Sequence, residues 1–119
     1  TAHLTPGHTA GGTSWSWRSC EDSRCLNLVY ADSQTPVSAD EFRYSDSPLV
    51  AGFERGFAVL EALPCDILLT PHPGASSMWE RMESGTAGLI DSEACRRYAA
   101  SAREALARRL ATEAAGQQP

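Results

Sequence analysis

The sequence predicts an α/β fold in which helices pack on a sheet, and three patterns lead to this prediction. Residues 13–18 alternate between small polar and aromatic side chains with a period of two, as a strand does. Residues 50–60 and 92–114 repeat apolar side chains every three or four positions, as helices do. Residues 66–70 form a short apolar run, which is typical of a strand buried on both faces. The chain of 119 residues is long enough for one domain.

Strands are predicted throughout the first quarter of the chain. Residues 1–6 indicate a short strand, and the glycine-rich residues 7–12 indicate a turn after it. The two tryptophans within residues 13–18 fall on one face of the second strand, because they are two positions apart. Residues 26–31 indicate a third strand. The polar residues 21–24 between the two runs predict that these strands form a hairpin.

A long polar loop separates these strands from the first helix. Residues 32–47 are rich in Asp, Ser and Pro, and loops of about 15 residues in compact domains are often functional. Ser47 is placed to cap a helix that has Pro48 at its first position. This helix is expected to end near residues 63–64. Its apolar face comprises Val50, Phe53, Phe57 and Leu60.

Both kinds of element are predicted in the second half. Residues 71–74 stop the apolar strand abruptly, and a short helix is expected over residues 77–83, broken by the glycines that follow it. A long final helix, capped by Asp91 or Ser92, is expected to reach about residue 114, with a frayed tail over residues 116–119. The inward positions of that helix are Cys95, Ala99, Ala102, Leu106 and Leu110.

Charge and hydropathy argue against two classes of partner. The net charge is −5, and phosphate binding needs a concentrated basic face, so nucleic acid is not an expected partner. No apolar run approaches the ~20 residues that a membrane span needs, so no membrane association is expected. The basic residues of the final helix are interleaved with glutamates, which predicts a solvated face. They are Arg96, Arg97, Arg103, Arg108 and Arg109, among Glu93, Glu104 and Glu113.

The four cysteines indicate two disulfides. A bridge between Cys20 and Cys25 suits the mouth of the predicted hairpin, and Cys65 and Cys95 remain as the second pair. The second bridge closes a long loop and contributes roughly 3–4 kcal/mol on the chain-entropy model. Disulfides imply an oxidising compartment. The alternative is four reduced, buried thiols in a cytosolic protein.

Two histidines follow predicted strands and are candidate metal ligands. His8 lies in the glycine-rich turn, and His72 lies between two prolines after the apolar strand. Neutral imidazole is the commonest nitrogen ligand of zinc, although each residue can equally be a turn histidine bonded to local backbone. Asp32 directly follows the third strand and either projects into a site or completes an Asp turn. His3 is interpreted as structural or exposed.

Three motifs in order resemble one enzyme family. They are Gly7-His8-Thr9, Tyr30-Ala31-Asp32-Ser33 and Thr70-Pro71-His72-Pro73-Gly74-Ala75-Ser76. Together they resemble the metallo-β-lactamase superfamily, and specifically its third subclass (B three). The similarity also covers residues 13–17, residues 62–66 and the final helix. One departure is Ala10, where proline is frequent in the family.

The resemblance implies an αβ/βα sandwich of which this chain, over residues 1–119, forms the C-terminal half. It implies two Zn²⁺ ions per complete site, with His8 as the third histidine of the first zinc and His72 as the last ligand of the second. It further implies hydrolysis of β-lactam antibiotics, hence antibiotic resistance, by a zinc-bound hydroxide and no catalytic side chain. Ser33 and Thr35 match the positions that bind the substrate carboxylate, and Ser33 also supports the second zinc. The family's disulfides agree with the pairing of Cys65 with Cys95, and a hairpin bridge like Cys20–Cys25 occurs in some of its members.

The family's remaining ligands come from a His-x-His-x-Asp-His motif in an N-terminal half, and this sequence does not contain that motif. We expect the isolated chain to be inactive, because catalytic zinc normally needs three protein ligands. We also expect an exposed sheet face that the missing half, covalently joined or as a separate chain, would bury; self-association is a further possibility. We expect the chain to start in mid-protein, and no signal peptide is visible in it. A periplasmic or secreted bacterial location is expected.

Two other functions remain open. One is a different hydrolase of the same superfamily, a thioesterase or lactonase resembling glyoxalase II, in which Asp32 bridges both metals. Ser33 in place of Asp32 at the metals favours the lactamase. The other is a non-catalytic fragment that serves only as a folding or assembly half.

Overall fold

The computed structural model describes residues 1–117, so the last two residues of the predicted tail lie outside the described residues. It consists of one four-stranded sheet with helices on one side. The strands are β1 (Ala2–Leu4), β2 (Thr13–Glu21), β3 (Arg24–Tyr30) and β4 (Ile67–Leu69), and the α-helices are α1 (Leu49–Ala62), α2 (Met78–Glu83), α3 (Gly85–Leu89) and α4 (Ala94–Ala114). Short 3-10 helices span Tyr44–Asp46 and Pro73–Ser76.

The strands are arranged in the order β1-β2-β3-β4. The pairs β1–β2 and β2–β3 are antiparallel, whereas β3 and β4 are parallel. It follows that β1, β3 and β4 all run in the same direction and that their carboxyl ends lie along one edge of the sheet. The predicted hairpin is present, and the predicted α/β class is confirmed.

Helices α1 and α4 cover one face of the sheet. Val29 and Leu68 face them from adjacent strands and are almost fully buried. Most of the predicted apolar face of α1 is buried here, with Val50 only partly so, and the rings of Phe53 and Phe57 are stacked at a centroid distance of 5.8 Å. Burying each such side chain stabilises the fold by about 1.5–3 kcal/mol. Ala99 and several neighbours on α4 complete the core.

The opposite face of the sheet is open, and we call it the open face. Leu4, Trp15, Trp17 and Tyr30 lie on it, and their exposed fractions range from 38% to 73%. The prediction that the apolar strand is buried on both faces is therefore wrong. Only the central residue of β4 is buried, because its two neighbours point to the open face, which no described element covers.

Local signals fix the helix ends. The Ser47 hydroxyl accepts a hydrogen bond from the N–H of Leu49 at 3.1 Å, as a capping side chain does. The Asp91 carboxylate accepts the N–H of Glu93 at 3.0 Å in the turn that precedes the final helix. Glu93 is the N-cap residue of that helix, which begins at Ala94, one or two residues later than a cap at residue 91 or 92 predicts. The short predicted helix ends at Ser84 as expected, but α3 follows it immediately.

Two disulfides link the four cysteines. Cys20 and Cys25 are direct cross-strand partners at the tip of the hairpin. Cys65 and Cys95 join the segment just before β4 to the first turn of α4, across a sequence separation of 30. Both predicted pairings are therefore present. Within residues 1–117, no helix combines the length and apolarity that crossing a membrane requires.

The prediction that the charged residues of the final helix form a solvated face is wrong at two positions. Arg109 and Glu113 are both buried and form an ion pair at 2.8 Å with side chains that are 7% and 1% exposed. They face the loop before α1, which covers this end of α4. Arg96 and Arg108 do lie on the solvated side.

Candidate metal centre

The sheet brings the predicted site segments to one edge. His8 follows β1, Asp32 to Thr35 follow β3, and His72 follows β4. Because these three strands are co-directional, all three segments leave the sheet at the same end. Adjacent strands are ~4.8 Å apart, so the segments after β3 and β4 are neighbours, and the turn bearing His8 reaches across from the far side.

His8 has a defined ring orientation. Its Nδ1 lies 2.7 Å from the carbonyl oxygen of Thr35 and 3.3 Å from the Thr35 hydroxyl. A carbonyl oxygen can only accept, so Nδ1 must carry the hydrogen in this contact. The neutral ring then has its lone pair on Nε2. A histidine whose Nδ1–H is held by a backbone carbonyl is a typical arrangement for a metal ligand.

The turn that carries His8 is packed against α1. Gly7 has φ of +145°, a conformation that side chains disfavour, and a Cβ placed there would come within 2.3 Å of the Phe53 ring. The turn is closed by two backbone bonds, from Gly7 N–H to Thr9 O at 2.9 Å and from Thr5 N–H to Gly12 O at 2.8 Å. The backbone before His8 is thereby fixed from both sides.

Gln34 joins two of the site segments, and the sequence analysis missed it. Its side chain is fully buried, and its amide nitrogen donates to the carbonyl oxygens of Thr5 at 3.2 Å and Asp32 at 3.4 Å. It therefore ties the end of β1 to the segment after β3. Because Gln34 lies in a run of polar loop residues, its sequence context indicates a solvated side chain. The one indication of a role in the site was its position between the candidate residues Ser33 and Thr35.

Asp32 and Ser33 are placed differently from each other. The Asp32 carboxylate is half-buried, with Oδ2 3.1 Å from the point where a Cβ on Gly12 would stand. Its carbonyl accepts the Tyr98 hydroxyl at 3.2 Å, and burial raises the pKa of Tyr98 to about 12, which keeps this donor protonated. Ser33 is only 6% exposed, and the Thr35 hydroxyl lies beside His8.

His72 has a more open setting. The residue is exposed, and its backbone is fixed by the Thr70 hydroxyl, which donates to the His72 carbonyl at 3.0 Å. Arg81 supports the segment from below by donating to the carbonyl oxygens of Ser76 at 3.1 Å and Leu68 at 2.8 Å. Sequence reasoning did not find Arg81, because a lone arginine on a short polar helix gives no signal of burial.

His3 does not belong to this centre. Its Nε2 lies 2.7 Å from the Ser16 hydroxyl on the neighbouring strand, which agrees with a structural role. Across residues 1–117, no group of three or more His, Cys, Asp or Glu side chains is placed to hold a metal ion. The donor chemistry nevertheless fits part of a zinc site, because His8 presents an oriented Nε2 and His72 an exposed ring at the same sheet edge.

Solved structures of known proteins match this fold closely, whereas no family model matches the sequence. Rm3 metallo-β-lactamase is 47% identical with a TM-score of 0.90, over 95% of this chain and 45% of its own. MEM-A1, from a soil metagenome library, is 45% identical with a TM-score of 0.90, over 98% of this chain and 47% of its own. MIM-1 from Novosphingobium pentaromativorans is 44% identical with a TM-score of 0.89, over 98% and 43%.

These similarities place the chain in the metallo-β-lactamase superfamily. Within the superfamily the relationship is to subclass B3, to which MEM-A1 belongs. The chain spans a little under half the length of the structures it matches, which is consistent with the C-terminal half of their domain.

Proposed function

We propose that this chain supplies the second half of the active site of a zinc-dependent β-lactam hydrolase. In this proposal His8 binds one zinc ion and His72 the other. The observation that carries the proposal is the hydrogen bond from His8 Nδ1 to the Thr35 carbonyl, which leaves Nε2 free at the sheet edge that also bears His72. Sequence identity of 44–47% to metallo-β-lactamases supports this proposal.

The remaining site residues have supporting roles in this proposal. Bound zinc supplies Lewis-acid polarisation of a carbonyl and an acidified water. Thr35 holds the His8 ring through its carbonyl, and its hydroxyl beside the ring is available to a substrate carboxylate. Ser33 serves the same carboxylate or the second zinc, and its burial favours the second of these roles. Asp32 supports the turn bearing His8 from beside Gly12.

The partner implied is the N-terminal half of the same domain, either in the same polypeptide or as a separate chain. It would supply the ligands that this chain lacks, since a catalytic zinc typically has three. The open face supports this proposal, because isolated apolar patches of this kind usually mark an interface. The disulfides favour an oxidising location such as the periplasm or the exterior of the cell.

The test is to join this chain to the N-terminal half of MEM-A1 and to measure zinc content together with hydrolysis of a chromogenic cephalosporin. Two zinc ions and turnover are expected. Replacing His8 or His72 by alanine should each remove about one zinc ion, because each ion would lose one of its ~3 protein ligands. His3→Ala is the matched control and should keep both ions, since His3 bonds only to Ser16.

Two outcomes would overturn parts of the proposal. Unchanged zinc content in His8→Ala would remove His8 from the metal site. Two zinc ions with thioester or lactone cleavage, but no cephalosporin cleavage, would assign the joined protein to the other hydrolases of the superfamily. In that case Asp32→Asn should abolish activity, because Asp32 would then be the bridging ligand.

A further inference from the structure

Two buried charged residues of α4 hold the loop that follows β3. Arg109 donates through its guanidinium to the carbonyl oxygens of Pro36 at 3.1 Å and Phe42 at 2.8 Å, and to the Ser38 hydroxyl at 2.8 Å. The guanidinium also lies over the Tyr44 ring at 4.9 Å from its centroid. One planar donor group therefore joins three separate points of a loop that has little secondary structure of its own.

Glu113 holds the same loop from its other end. Its two carboxylate oxygens accept the backbone N–H groups of Tyr44 and Ser45, each at 2.9 Å, and it also pairs with Arg109. Burial alone would raise the pKa of Glu113, but these hydrogen bonds outweigh it and lower the pKa to about 2. The carboxylate is consequently ionised at any physiological pH.

The loop residues held in this way are directly joined to the contact that orients His8. Pro36 follows Thr35 in the chain, and the Val37 N–H donates to the Thr35 carbonyl at 2.9 Å. The Tyr44 hydroxyl in turn donates to the Val37 carbonyl at 2.9 Å. The position of the oxygen that bonds His8 Nδ1 thus depends on contacts made at the far end of α4.

Stability alone does not account for a buried ion pair here. Removing two charges from water is costly, and buried ion pairs are often no more stabilising than apolar residues of the same size. Their better-attested use is to select one conformation among several. In this chain the conformation selected is that of residues 36–45, in which a run of backbone donors and acceptors is paired with α4.

We propose that Arg109 and Glu113 are positioning residues for His8, which act by fixing the Thr35 carbonyl and hence the tautomer and orientation of the imidazole. Neither residue touches the candidate metal centre. The relevance of this coupling to zinc binding rests on the proposed function, because only there is His8 a ligand. The coupling itself is a property of the metal-free chain and is testable without zinc.

The experiment uses the full chain without metal, labelled with ¹⁵N, at alkaline pH where imidazole is neutral. The ring nitrogen signals report the tautomer of each histidine. His8 should show hydrogen on Nδ1, whereas Arg109→Lys should shift it toward a mixture, because lysine cannot form the three-point contact. The exchange rate of the Val37 amide should rise roughly tenfold or more, as expected when a charge-assisted anchor is lost.

A gentler variant and a matched control keep the result decisive. Tyr44→Phe removes only the hydroxyl that donates to Val37, and it should shift the His8 tautomer in the same direction even if Arg109→Lys fails to fold. Arg103→Lys alters an arginine on the same helix that stacks on Phe57 at 5.1 Å but does not contact the loop, so it should leave His8 unchanged.

The proposal is overturned if folded Arg109→Lys and Tyr44→Phe both keep the wild-type His8 tautomer and Val37 exchange rate. A shift in Arg103→Lys equal to that in Arg109→Lys would also overturn it, since the effect would then be a general loosening of α4. Either result leaves the zinc proposal standing, because the zinc content of the joined protein is measured independently.

Discussion

The two histidines proposed as zinc ligands occupy regions that are held together in different ways. The turn bearing His8 lies under helix α1 and is fixed by Gln34 and the Thr35 carbonyl. The segment bearing His72 is exposed, contains two very short helices and is closed at its base by the disulfide between Cys65 and Cys95. The first region depends on packing and hydrogen bonds between buried groups, whereas the second combines partly buried hydrogen bonds from Thr70 and Arg81 with a covalent link.

This difference indicates that two proposed ligands of one site can differ in how firmly the chain holds them. A ligand fixed by buried contacts is oriented before any metal arrives, at the expense of tolerance to substitution nearby. A ligand on an exposed, covalently tethered segment retains freedom to adjust. Glycine substitution, removal of a disulfide and acid should therefore affect the two regions differently.

Glycine-to-alanine substitutions should separate the two regions most clearly. Gly7→Ala should destabilise the chain by about 4 kcal/mol, because it combines backbone strain at a positive φ with a clash against the Phe53 ring. Gly74→Ala, in the His72 segment, meets no atom within 4 Å and should change stability by less than about 0.5 kcal/mol. Urea unfolding of both variants measures this. Equal losses would show that packing does not distinguish the regions.

Removing the disulfides should have the reverse pattern. Replacing Cys65 and Cys95 together by alanine should lower stability by roughly 3–4 kcal/mol, because a long loop is released. Hydrogen exchange should accelerate in residues 66–94 and remain unchanged around His8. The matched pair, Cys20 and Cys25, closes a short hairpin that backbone pairing already holds. Removing this disulfide should therefore lower stability by about 1–2 kcal/mol less than removing the other. Faster exchange at His8 instead would contradict the division.

Acid should selectively destabilise the region that holds His8, because it protonates Glu113. A carboxyl group whose pKa is lowered to about 2 in the folded chain stabilises it above its ordinary pKa near 4.5, and this stabilisation disappears as pH falls toward 2. The expected loss is about 3 kcal/mol. Glu113→Gln should be less stable than the wild type at pH 7. Its free energy of unfolding should lack this part of the decrease as the pH is lowered. Glu104→Gln alters a solvent-exposed glutamate of the same helix and should follow the wild-type pH profile.

The local elements of this fold were accessible from the sequence. The hairpin, the buried face of α1 and the cap at Ser47 depend on short-range spacing, and the structure contains all three. The partial exposure of the outer residues of β4 was not accessible from residues 66–70 themselves, because a short apolar run does not say whether both faces have a partner in the same chain. An exposed sheet face was expected only from the family resemblance.

The polar framework of the candidate site was the part that sequence could not supply. Gln34, Arg81 and Arg109 all lie in segments whose composition indicates solvent exposure, yet each donates to buried or partly buried carbonyl groups. Their burial arises from contacts between residues up to 73 positions apart, and no local pattern encodes such contacts. The order of His8, Asp32 and His72 along the chain was visible in the sequence. Their position at one edge of the sheet was not, because it depends on the relative directions of the strands.

The open face also gives the chain a built-in optical reporter. Trp15 and Trp17 are 52% and 44% exposed on that face, while the third tryptophan, Trp79, is on helix α2. Indole fluorescence shifts to shorter wavelength when water around the ring is replaced by apolar groups. Binding of any surface that covers the open face should therefore shift the fluorescence of Trp15 and Trp17 to shorter wavelength, and it can be followed without a dye or a tag.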